Sequence, residues 1–435
     1  MTADTERTAR TGEGPSGYRP VMAWTITGML VIFMIVNWAD KAVLGIVAQP
    51  LQDDLGLSAA EIGFIGSAFF FLYSISGVAV GFLANRVKTK WVLLALAVLW
   101  SVTQVPVLVS ATGTALLISR IALGAAEGPA TAMASAGAFE WFPKEKRSLP
   151  AAWLNSGASI AKIAVAPLLT VIVVAFGWRA AFLTLALVGV VWCLAWLLIG
   201  REGPYATPRG KSALAAAPAD DTRTVPFHRI ALSRSFIGGA LGTFSVYGMV
   251  SVILTWLPSY FEVGLGFSRL EAGSMFGLPS ITGMIGMIGV GWLTDRMVSR
   301  GASSRVQRGL VPAGALLVGG ALLATLPYIG PAWAAVTIVV VAYGFMVVAL
   351  PVMNAVVSQI SPVRQQPGAL GLFLAVQTLS GLFAPALTGA LVDAAAEPAV
   401  GYAQAFQVFG LTVVVGGIVM GLLVNPERDA RRILG

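Results

Sequence analysis

Twelve stretches of this chain are apolar and long enough to cross a lipid bilayer. They lie near residues 21–48, 60–84, 91–110, 114–140, 150–175, 179–199, 235–260, 270–293, 309–328, 332–357, 366–392 and 402–424. A helix needs about 20 apolar residues to span the hydrocarbon core. Helices satisfy their own backbone hydrogen-bonding groups, which lipid cannot do. We therefore predict an all-α membrane protein with twelve transmembrane helices.

The composition excludes the main classes of soluble protein and of enzyme site. Only 11% of the residues are charged, against about 25% in soluble domains. A single cysteine, Cys193, excludes a disulfide framework, and the single histidine, His228, leaves neither a histidine metal cluster nor a base for a serine nucleophile. No Walker-type phosphate loop occurs in the sequence, so we do not expect ATP to be the energy source. We expect no enzyme activity and no metal or organic cofactor.

The basic residues predict the orientation in the membrane. With the N-terminus inside, 23 of the 28 lysines and arginines lie on the cytoplasmic side. Only Arg179 and Arg269 lie on the outer side. This bias places both termini in the cytoplasm of a cell (inner or plasma) membrane. It also accounts for the net charge of +8 without a nucleic-acid partner.

Two pairs of similar segments indicate an internal duplication. "GFLANRVKTK" at 81–90 follows the second apolar stretch, and "GWLTDRMVSR" at 291–300 follows the eighth. "GWRAAF" at 177–182 opens the sixth, and "GYAQAF" at 401–406 opens the twelfth. We infer two pseudo-symmetric six-helix bundles.

The predicted domains follow from this duplication. The bundles cover 21–200 and 235–425, and a polar linker at 201–234 joins them. Its alanine, proline and charge content predicts a flexible, disordered cytoplasmic segment. Residues 1–20 are predicted to be a disordered cytoplasmic N-terminus, and 426–435 a cytoplasmic tail.

Charged residues inside the apolar stretches point to function, because burying an unpaired charge in a membrane is costly. Six such residues lie in or near these stretches, all in the first half: Asp40, Lys41, Arg120, Glu127, Glu140 and Lys162. In the deep set, three bases face the two acids Asp40 and Glu127. Mutual pairing that only stabilises the bundle is one interpretation. The excess of bases favours another, in which a diffusible anion completes the site.

Helix geometry indicates which of these groups can meet. Arg120 and Glu127 are seven residues apart, so they share a helix face at a separation of about 10 Å. Asp40 and Arg120 are predicted at one depth. Lys41 follows Asp40 by about 100° of rotation and is predicted to point toward the central cavity. Lys162 is predicted near Glu127 in depth.

These features resemble the major facilitator superfamily, over about residues 20–425. The motif G-x-L-A-[D/N]-R after the second and eighth stretches carries the resemblance, together with the twelve spans in two halves. "NWADKAVLG" at 37–45 is similar to the first-helix motif of the anion:cation symporters, a group with bacterial organic-acid and sugar-acid carriers, sialin and the vesicular glutamate carriers. "SRIALGAAEGPATA", "TWLPSYF" and "GLFLAVQTLSGLFAPALTG" fit the same group.

The resemblance implies roles residue by residue. Asp40 and Glu127 match the family's proton-accepting acids in the first and fourth helices. Lys41 matches the first-helix arginine that grips the substrate carboxylate, and Arg120 matches the fourth-helix arginine. Withdrawal from water favours the protonated form of a carboxyl group. A proton on Glu127 would then release a base to hold an anion, and its loss would let the acid recapture that base.

Two departures from the family pattern bear on the substrate. Lysine at 41 lacks the planar fork of arginine, and Lys162 stands where the family usually has a small residue. We expect two point-charge donors and a substrate with a carboxylate plus a second acidic or polar group, or an aromatic acid. Sugar acids stay possible but less favoured. Trp38 and Tyr73 are candidate stacking residues, with ordinary packing as the alternative. An internal pair with Glu127 is the alternative for Lys162.

The second half supplies neutral candidates. We expect about two of five polar residues to touch substrate: Tyr247, Ser251, Asn354, Gln377 and Thr378. The repeated loop motif is predicted to brace the helices at the cytoplasmic side and to act in gating. Its residues are Gly81, Asn85 and Arg86 in the first copy and Gly291, Asp295 and Arg296 in the second. Asn85 replaces the usual aspartate.

Three functions remain open from the sequence. The first is proton-driven uptake of a small organic anion such as an aromatic, dicarboxylic or sugar acid, by alternating access. The second is a proton-coupled antiporter that exports drugs or metabolites, and the third is a non-transporting membrane protein. Uncompensated buried bases favour the first. We expect a monomer in the lipid bilayer, with the proton gradient as its energy source.

Overall fold

The structure is a computed structural model that describes residues 19–84, 87–110, 112–143, 146–206 and 224–434. Of the segments predicted to be disordered, 1–20 and 201–234, residues 1–18 and 207–223 lie outside these ranges, as do Asn85 and Arg86 of the loop motif. Disorder is wrong for the end of the linker, where Phe227–Ala231 is helical and Val225 exchanges backbone hydrogen bonds with the Gln365 side chain. The described chain is helical, as the apolar pattern predicts. We number the membrane helices α1 to α12 and divide a passage only where its helix is interrupted.

Six helical passages make the first bundle. Their bounds are α1 Pro20–Leu55, α2 Ala59–Ala84, α3 Thr89–Val109, α4 Gly113–Glu127 with Ala130–Phe139, α5 Ser148–Phe176 and α6 Trp178–Ile199. Six more make the second. They are α7 Arg234–Gly264, α8 Arg269–Ser299, α9 Val306–Tyr328, α10 Ala332–Ile360, α11 Val363–Ala394 and α12 Pro398–Leu423. These bounds fall within a few residues of the predicted ones.

Eleven helices among the described residues are long and apolar enough to cross a membrane. The passage outside this group is α4, which carries Arg120 and Glu127 and is interrupted at Gly128 and Pro129. It packs against α2 and α3 inside the first bundle. Neighbouring helices therefore shield its charges from lipid, which is how membrane helices tolerate such residues.

The two bundles meet mainly on one side of the molecule. An even number of passages leaves the first and last helix ends on the same side, here named the terminal side, and the opposite side is the far side. The contacts between bundles are made by α1 with α7, α2 with α11, and the end of α5 with the start of α8. They concentrate toward the far side, so the cleft between the bundles opens toward the terminal side.

Glycines allow this close approach. A Cβ on Gly45 of α1 would strike the Leu254 carbonyl of α7, and one on Gly63 of α2 would strike the Pro385 carbonyl of α11. Asp393 adds a polar contact, since its carboxylate accepts hydrogen bonds from the Ala59 and Ala60 amides at 3.0 and 2.8 Å. The far side is thus closed by backbone packing and by a helix cap that crosses between bundles.

The segment predicted to be a simple tail forms a helix, Pro426–Leu434. The Asp429 carboxylate accepts a hydrogen bond from the Ser235 amide at 2.8 Å, at the start of α7. The Glu427 carboxylate accepts from the Ser303 hydroxyl and the Ser304 amide, at the start of α9. The final helix therefore ties together two helix starts of the second bundle.

Candidate functional site

Five charged side chains are buried in the first bundle, where α1, α4 and α5 face the cleft. Their exposed fractions are 1% for Asp40, 9% for Lys41, 2% for Arg120, 0% for Glu127 and 6% for Lys162. Charges so far from water need partners or a ligand. The structure brings together all five residues of the predicted deep set. The sixth, Glu140, lies at the terminal end of α4 and accepts a hydrogen bond from the Thr89 hydroxyl at 2.6 Å.

Lys41 and Glu127 form an ion pair between α1 and α4. The lysine Nζ lies 2.8 Å from Glu127 Oε2, and both side chains are buried. Lys41 also donates a hydrogen bond of 2.6 Å to Asn37 Oδ1, one helical turn earlier. Neither Glu127 oxygen has a partner of good hydrogen-bond geometry within the described chain. The carboxylate therefore depends on Lys41, which makes this pair the natural point at which an anion could compete.

Asp40 points away from Lys41, as the helical rotation predicts. Its Oδ1 accepts a hydrogen bond of 2.8 Å from Gln104 of α3. Arg120 reaches the same turn of α1 and donates from Nη1 to the Asp40 carbonyl at 2.8 Å. The predicted meeting of Asp40 and Arg120 is thus made through the backbone, and the two side chains form no ion pair. Arg120 Nε and Nη2 are left without partners among the residues described.

Lys162 lies on a π-helical turn, Ala161–Val165, that interrupts α5. Such turns are frequent at functional sites, because they displace one residue from the regular helix face. Its Nζ lies 5.5 Å from the centroid of Trp38 and 5.7 Å from that of Tyr343, which belongs to the second bundle. In the described part of the chain it has no acidic partner. The alternative of a Lys162–Glu127 pair is not what this structure has.

Aromatic rings surround the two lysines. Lys41 Nζ lies 4.9 Å from the ring centroid of Trp38, 5.3 Å from that of Tyr73 and 5.9 Å from that of Phe69. Ammonium groups at these distances are attracted to the negative ring faces. Trp38 and Tyr73, predicted as stacking candidates, are therefore positioned at the lysines. The aromatic groups can hold the cations without neutralising them.

Lys41 and Arg120 also line a small cavity on the far side of the ion pair. Phe69 and Phe70 of α2 form one wall, and Leu254 and Thr255 of α7 contribute from the second bundle. The positive groups of the first bundle thus face neutral groups of the second across the cleft.

The five neutral candidates of the second bundle differ in their surroundings. Ser251 is fully buried and donates to the Gly248 carbonyl of its own helix, and Thr378 bonds to Ser74 of α2 at 2.9 Å. These two serve helix packing in the present conformation. Asn354 Oδ1 and Gln377 Oε1 are buried without partners in the described chain. Tyr247 is buried, and its ring centroid lies 6.0 Å from that of Phe70 of α2 in an edge-to-face arrangement.

The second copy of the loop motif lies at the terminal side. Asp295, at the end of α8, accepts a hydrogen bond of 2.8 Å from Arg308 at the start of α9. The Arg296 guanidinium lies 5.0 Å from the Trp292 ring, and Gly291 has open space where a side chain would stand. In the first copy, Gly81 is within α2, while Asn85 and Arg86 lie outside the described residues. The Asp295–Arg308 pair thus links α8 to α9, and the role in gating stays a prediction.

Sequence reasoning missed three residues of the site. Asn37 is four residues before Lys41, a spacing that puts both on one helix face, so its pairing was open to prediction. Gln104 is a polar residue in an apolar stretch, which is itself a signal of a buried partner. Tyr343 gave no such signal, because its approach to Lys162 depends on how the two bundles pack.

Comparison with known proteins places this architecture in a family. The family model described as "Major Facilitator Superfamily" matches residues 29–350. The chain belongs to the Major Facilitator Superfamily. It is therefore a multi-pass membrane transporter and not an enzyme.

Among curated members of the superfamily, the chain is similar to carriers of organic acids. It is 28% identical to the hexuronate transporter of Bacillus subtilis, over 94% of this chain and 95% of that protein. It is 27% identical to the probable galactarate/D-glucarate transporter of the same organism, over 95% and 96%. It is 27% identical to the probable sulfoacetate transporter of Cupriavidus necator, over 92% and 93%.

Solved structures of the superfamily share the fold. A bacterial homologue of the human lysosomal transporter Spinster, inward-facing and unoccupied, superposes with a TM-score of 0.76 at 19% identity, over 96% of this chain and 98% of that one. A D-xylose–proton symporter gives a TM-score of 0.72 at 19% identity, over 93% and 99%. At these identities the likeness concerns the fold alone.

Proposed function

We propose that this transporter takes up a small organic anion together with protons, and that Lys41 and Glu127 couple the two. The observation that carries the proposal is the buried pair itself, in which Glu127 has Lys41 as its partner at 2.8 Å. An acid and a substrate anion that need the same ammonium group cannot both hold it. Binding of one therefore opposes binding of the other.

The coupling follows from this competition. When Glu127 takes up a proton it loses its charge, and Lys41 becomes available to a substrate carboxylate. When the proton leaves toward the cytoplasm, the carboxylate recaptures Lys41 and displaces the substrate. Each state keeps the buried ammonium paired, which avoids the cost of an isolated charge in the membrane interior. Substrate and proton thus travel together, and the proton gradient is the energy source.

Asp40 is proposed as a second proton acceptor. Its carboxylate is buried and accepts one hydrogen bond from the residues described, that of Gln104, while Arg120 is held to the backbone of the same residue. A change in the charge of Asp40 would alter the grip of Arg120 on α1. Because Lys41 is the next residue on that helix, the two acids can act on one binding site.

The orientation proposed is with both termini in the cytoplasm. The bias of lysine and arginine toward the terminal side supports it. The cleft, which opens toward that side, would then face the cytoplasm, and closure on the far side would correspond to an inward-facing state. We propose a monomeric carrier that alternates access by rocking the two bundles around the site.

Names of the relatives support an organic acid as substrate. Hexuronate, galactarate, D-glucarate and sulfoacetate are all small and anionic, and they differ in the number of acidic groups. Each of these anions needs a cationic partner, and the lysines of the site can supply one. Sugar acids therefore belong among the candidate substrates alongside the dicarboxylic and aromatic acids.

Reconstituted transport tests the proposal. Proteoliposomes with an imposed inward proton gradient are offered a panel of radiolabelled organic acids. We expect gradient-driven uptake by the wild type, and its loss in Asp40→Asn and in Glu127→Gln, with substrate exchange at equal concentrations retained. Glu397→Gln, on an exposed acid of the far side, is the matched control. Proton-driven exchange of hydrophobic cations without uptake of any acid would contradict the proposal and favour the exporter.

A further inference from the structure

The site holds more positive charge than the coupling step uses. Lys41 and Glu127 neutralise one another, and Arg120 lies close to Asp40. Lys162 is then in excess, because within the described chain it has neither an ion pair nor a hydrogen bond, although only 6% of its surface is exposed. Once Glu127 takes up a proton, two ammonium groups are available in the same place, those of Lys41 and Lys162.

Both ammonium groups lie close to the same aromatic ring, that of Trp38. Lys41 Nζ is 4.9 Å and Lys162 Nζ is 5.5 Å from the centroid of the same residue, Trp38. The two nitrogen atoms are therefore no more than about 10 Å apart. Trp38 stabilises both cations through its ring face but supplies no counter-charge. A ligand that satisfied both nitrogens would have to be negative at two points.

The distance also limits the size of such a ligand. A charge-assisted contact between an ammonium and a carboxylate oxygen is about 2.8 Å long. A ligand that lies between the two nitrogens then has at most about 5 Å between the oxygens that the lysines hold, with the lysines placed as in this structure. A short four-carbon diacid spans that distance, whereas a long diacid has to fold back on itself.

From this arrangement we infer that the transported anion is a compact dianion, with one acidic group on Lys41 and the other on Lys162. The inference rests on the proposed function and specifies its substrate class. The acidic groups can be two carboxylates or a carboxylate and a sulfonate, since both present charged oxygens to an ammonium group. The ring centroid of Tyr343, in the second bundle, lies 5.7 Å from Lys162 Nζ, so we expect this ring to contact the end of the ligand that Lys162 holds.

A matched pair of ligands tests the second charge. Succinate and its monoamide, succinamate, have the same length and differ by one negative end. We expect the wild type to bind succinate at least about tenfold more tightly than succinamate, because a buried charge pair is lost with the amide. In Lys162→Gln the two affinities should become equal, and Lys162→Arg should restore the preference. Lys88→Gln, which removes an exposed lysine, is the control. Calorimetry on the purified, full-length protein gives each affinity.

The outcomes separate this inference from the proposed function. Equal binding of the two ligands by the wild type, or a preference that persists in Lys162→Gln, overturns the dianion. Tighter binding of adipate than of succinate overturns the size limit. If monocarboxylates alone are taken up with protons, the dianion is wrong and the proposed function stands. If no organic anion drives or follows proton movement, both are wrong.

Discussion

Lys41 and Glu127 lie 2.8 Å apart in a fully buried ion pair that links α1 to α4. Lys41 has a second, neutral partner in Asn37, whereas Glu127 has Lys41 alone among described residues. The pair is thus asymmetric. Removing the negative charge of Glu127 leaves a positioned ammonium group, already oriented by Asn37 and by aromatic rings, for an incoming anion.

Asn37 is expected to position Lys41 for the substrate. In Asn37→Ala the 2.6 Å hydrogen bond is lost, and the ammonium group is held less firmly when Glu127 is protonated. A hydrogen bond of this kind contributes about 1 kcal/mol, so we expect anion affinity to fall about fivefold. Calorimetric titration measures it. Thr25→Ala, an exposed polar residue on the same helix, should leave the affinity unchanged.

Gly45 is expected to be essential for closure of the far side. In Gly45→Ala the added methyl group meets the Leu254 carbonyl, whereas in Gly28→Ala on the same helix it meets nothing within 4 Å. Overpacking costs about 1–3 kcal/mol, which lowers the ratio of closed to open states by about 5-fold to 150-fold. Uptake should fall accordingly in the first variant only. Equal activities in the two variants would contradict close packing of α1 on α7.

Asp393 is expected to hold the far side closed by capping α2 across the bundle interface. Asp393→Ala removes a cap worth about 1 kcal/mol. Spin labels at Ser110→Cys and Gly330→Cys, in a Cys193→Ser background, should then show a larger fraction of long label-to-label distances than in the parent protein that keeps Asp393. Asp393→Asn, which keeps one acceptor oxygen, should be intermediate. A distance distribution identical to that of the parent would exclude the cap as a latch.

Asp429 is expected to make stability depend on pH through the C-terminal helix. Burial alone would raise the pKa of Asp429, but hydrogen bonds from Arg428 and Ser235 outweigh it and hold the pKa below its usual value. A lowered carboxyl pKa adds stability above the unfolded value, and this is lost as pH falls through the folded value. Asp429→Asn should therefore melt earlier than wild type at neutral pH. The difference should shrink on acidification, and a difference that grows instead would contradict the account.

Much of the architecture was predictable because lipid imposes strict rules on a chain. The apolar stretches give helix bounds close to those observed, since no other conformation satisfies the backbone in hydrocarbon. Prolines 258, 279, 351 and 385 each lie within three residues of an interruption in α7, α8, α10 or α11, because proline removes a backbone donor from the helix. The helix bounds and interruptions depend on residues that are neighbours along the chain, so they can be predicted from the sequence.

The pairing of charges was less predictable. Helical rotation correctly separated Asp40 from Lys41, but it could not choose between Lys41 and Lys162 as the partner of Glu127. That choice depends on the rotation of α4 and α5 against α1, which many distant contacts set together. The contact of Lys162 with Tyr343 depends further on how one bundle sits against the other, and no residue pattern within α5 encodes it.

Glu127 and the substrate anion are proposed to compete for Lys41. The most direct test of this competition is to count the protons taken up when the anion binds, by calorimetry in buffers of different ionisation enthalpy. At alkaline pH we expect about one proton to be taken up by Glu127 for each anion bound. The number of protons taken up should decline as the medium is acidified. In Glu127→Gln we expect this uptake to vanish while anion binding remains. Binding by the wild type without proton uptake at any pH would contradict the account.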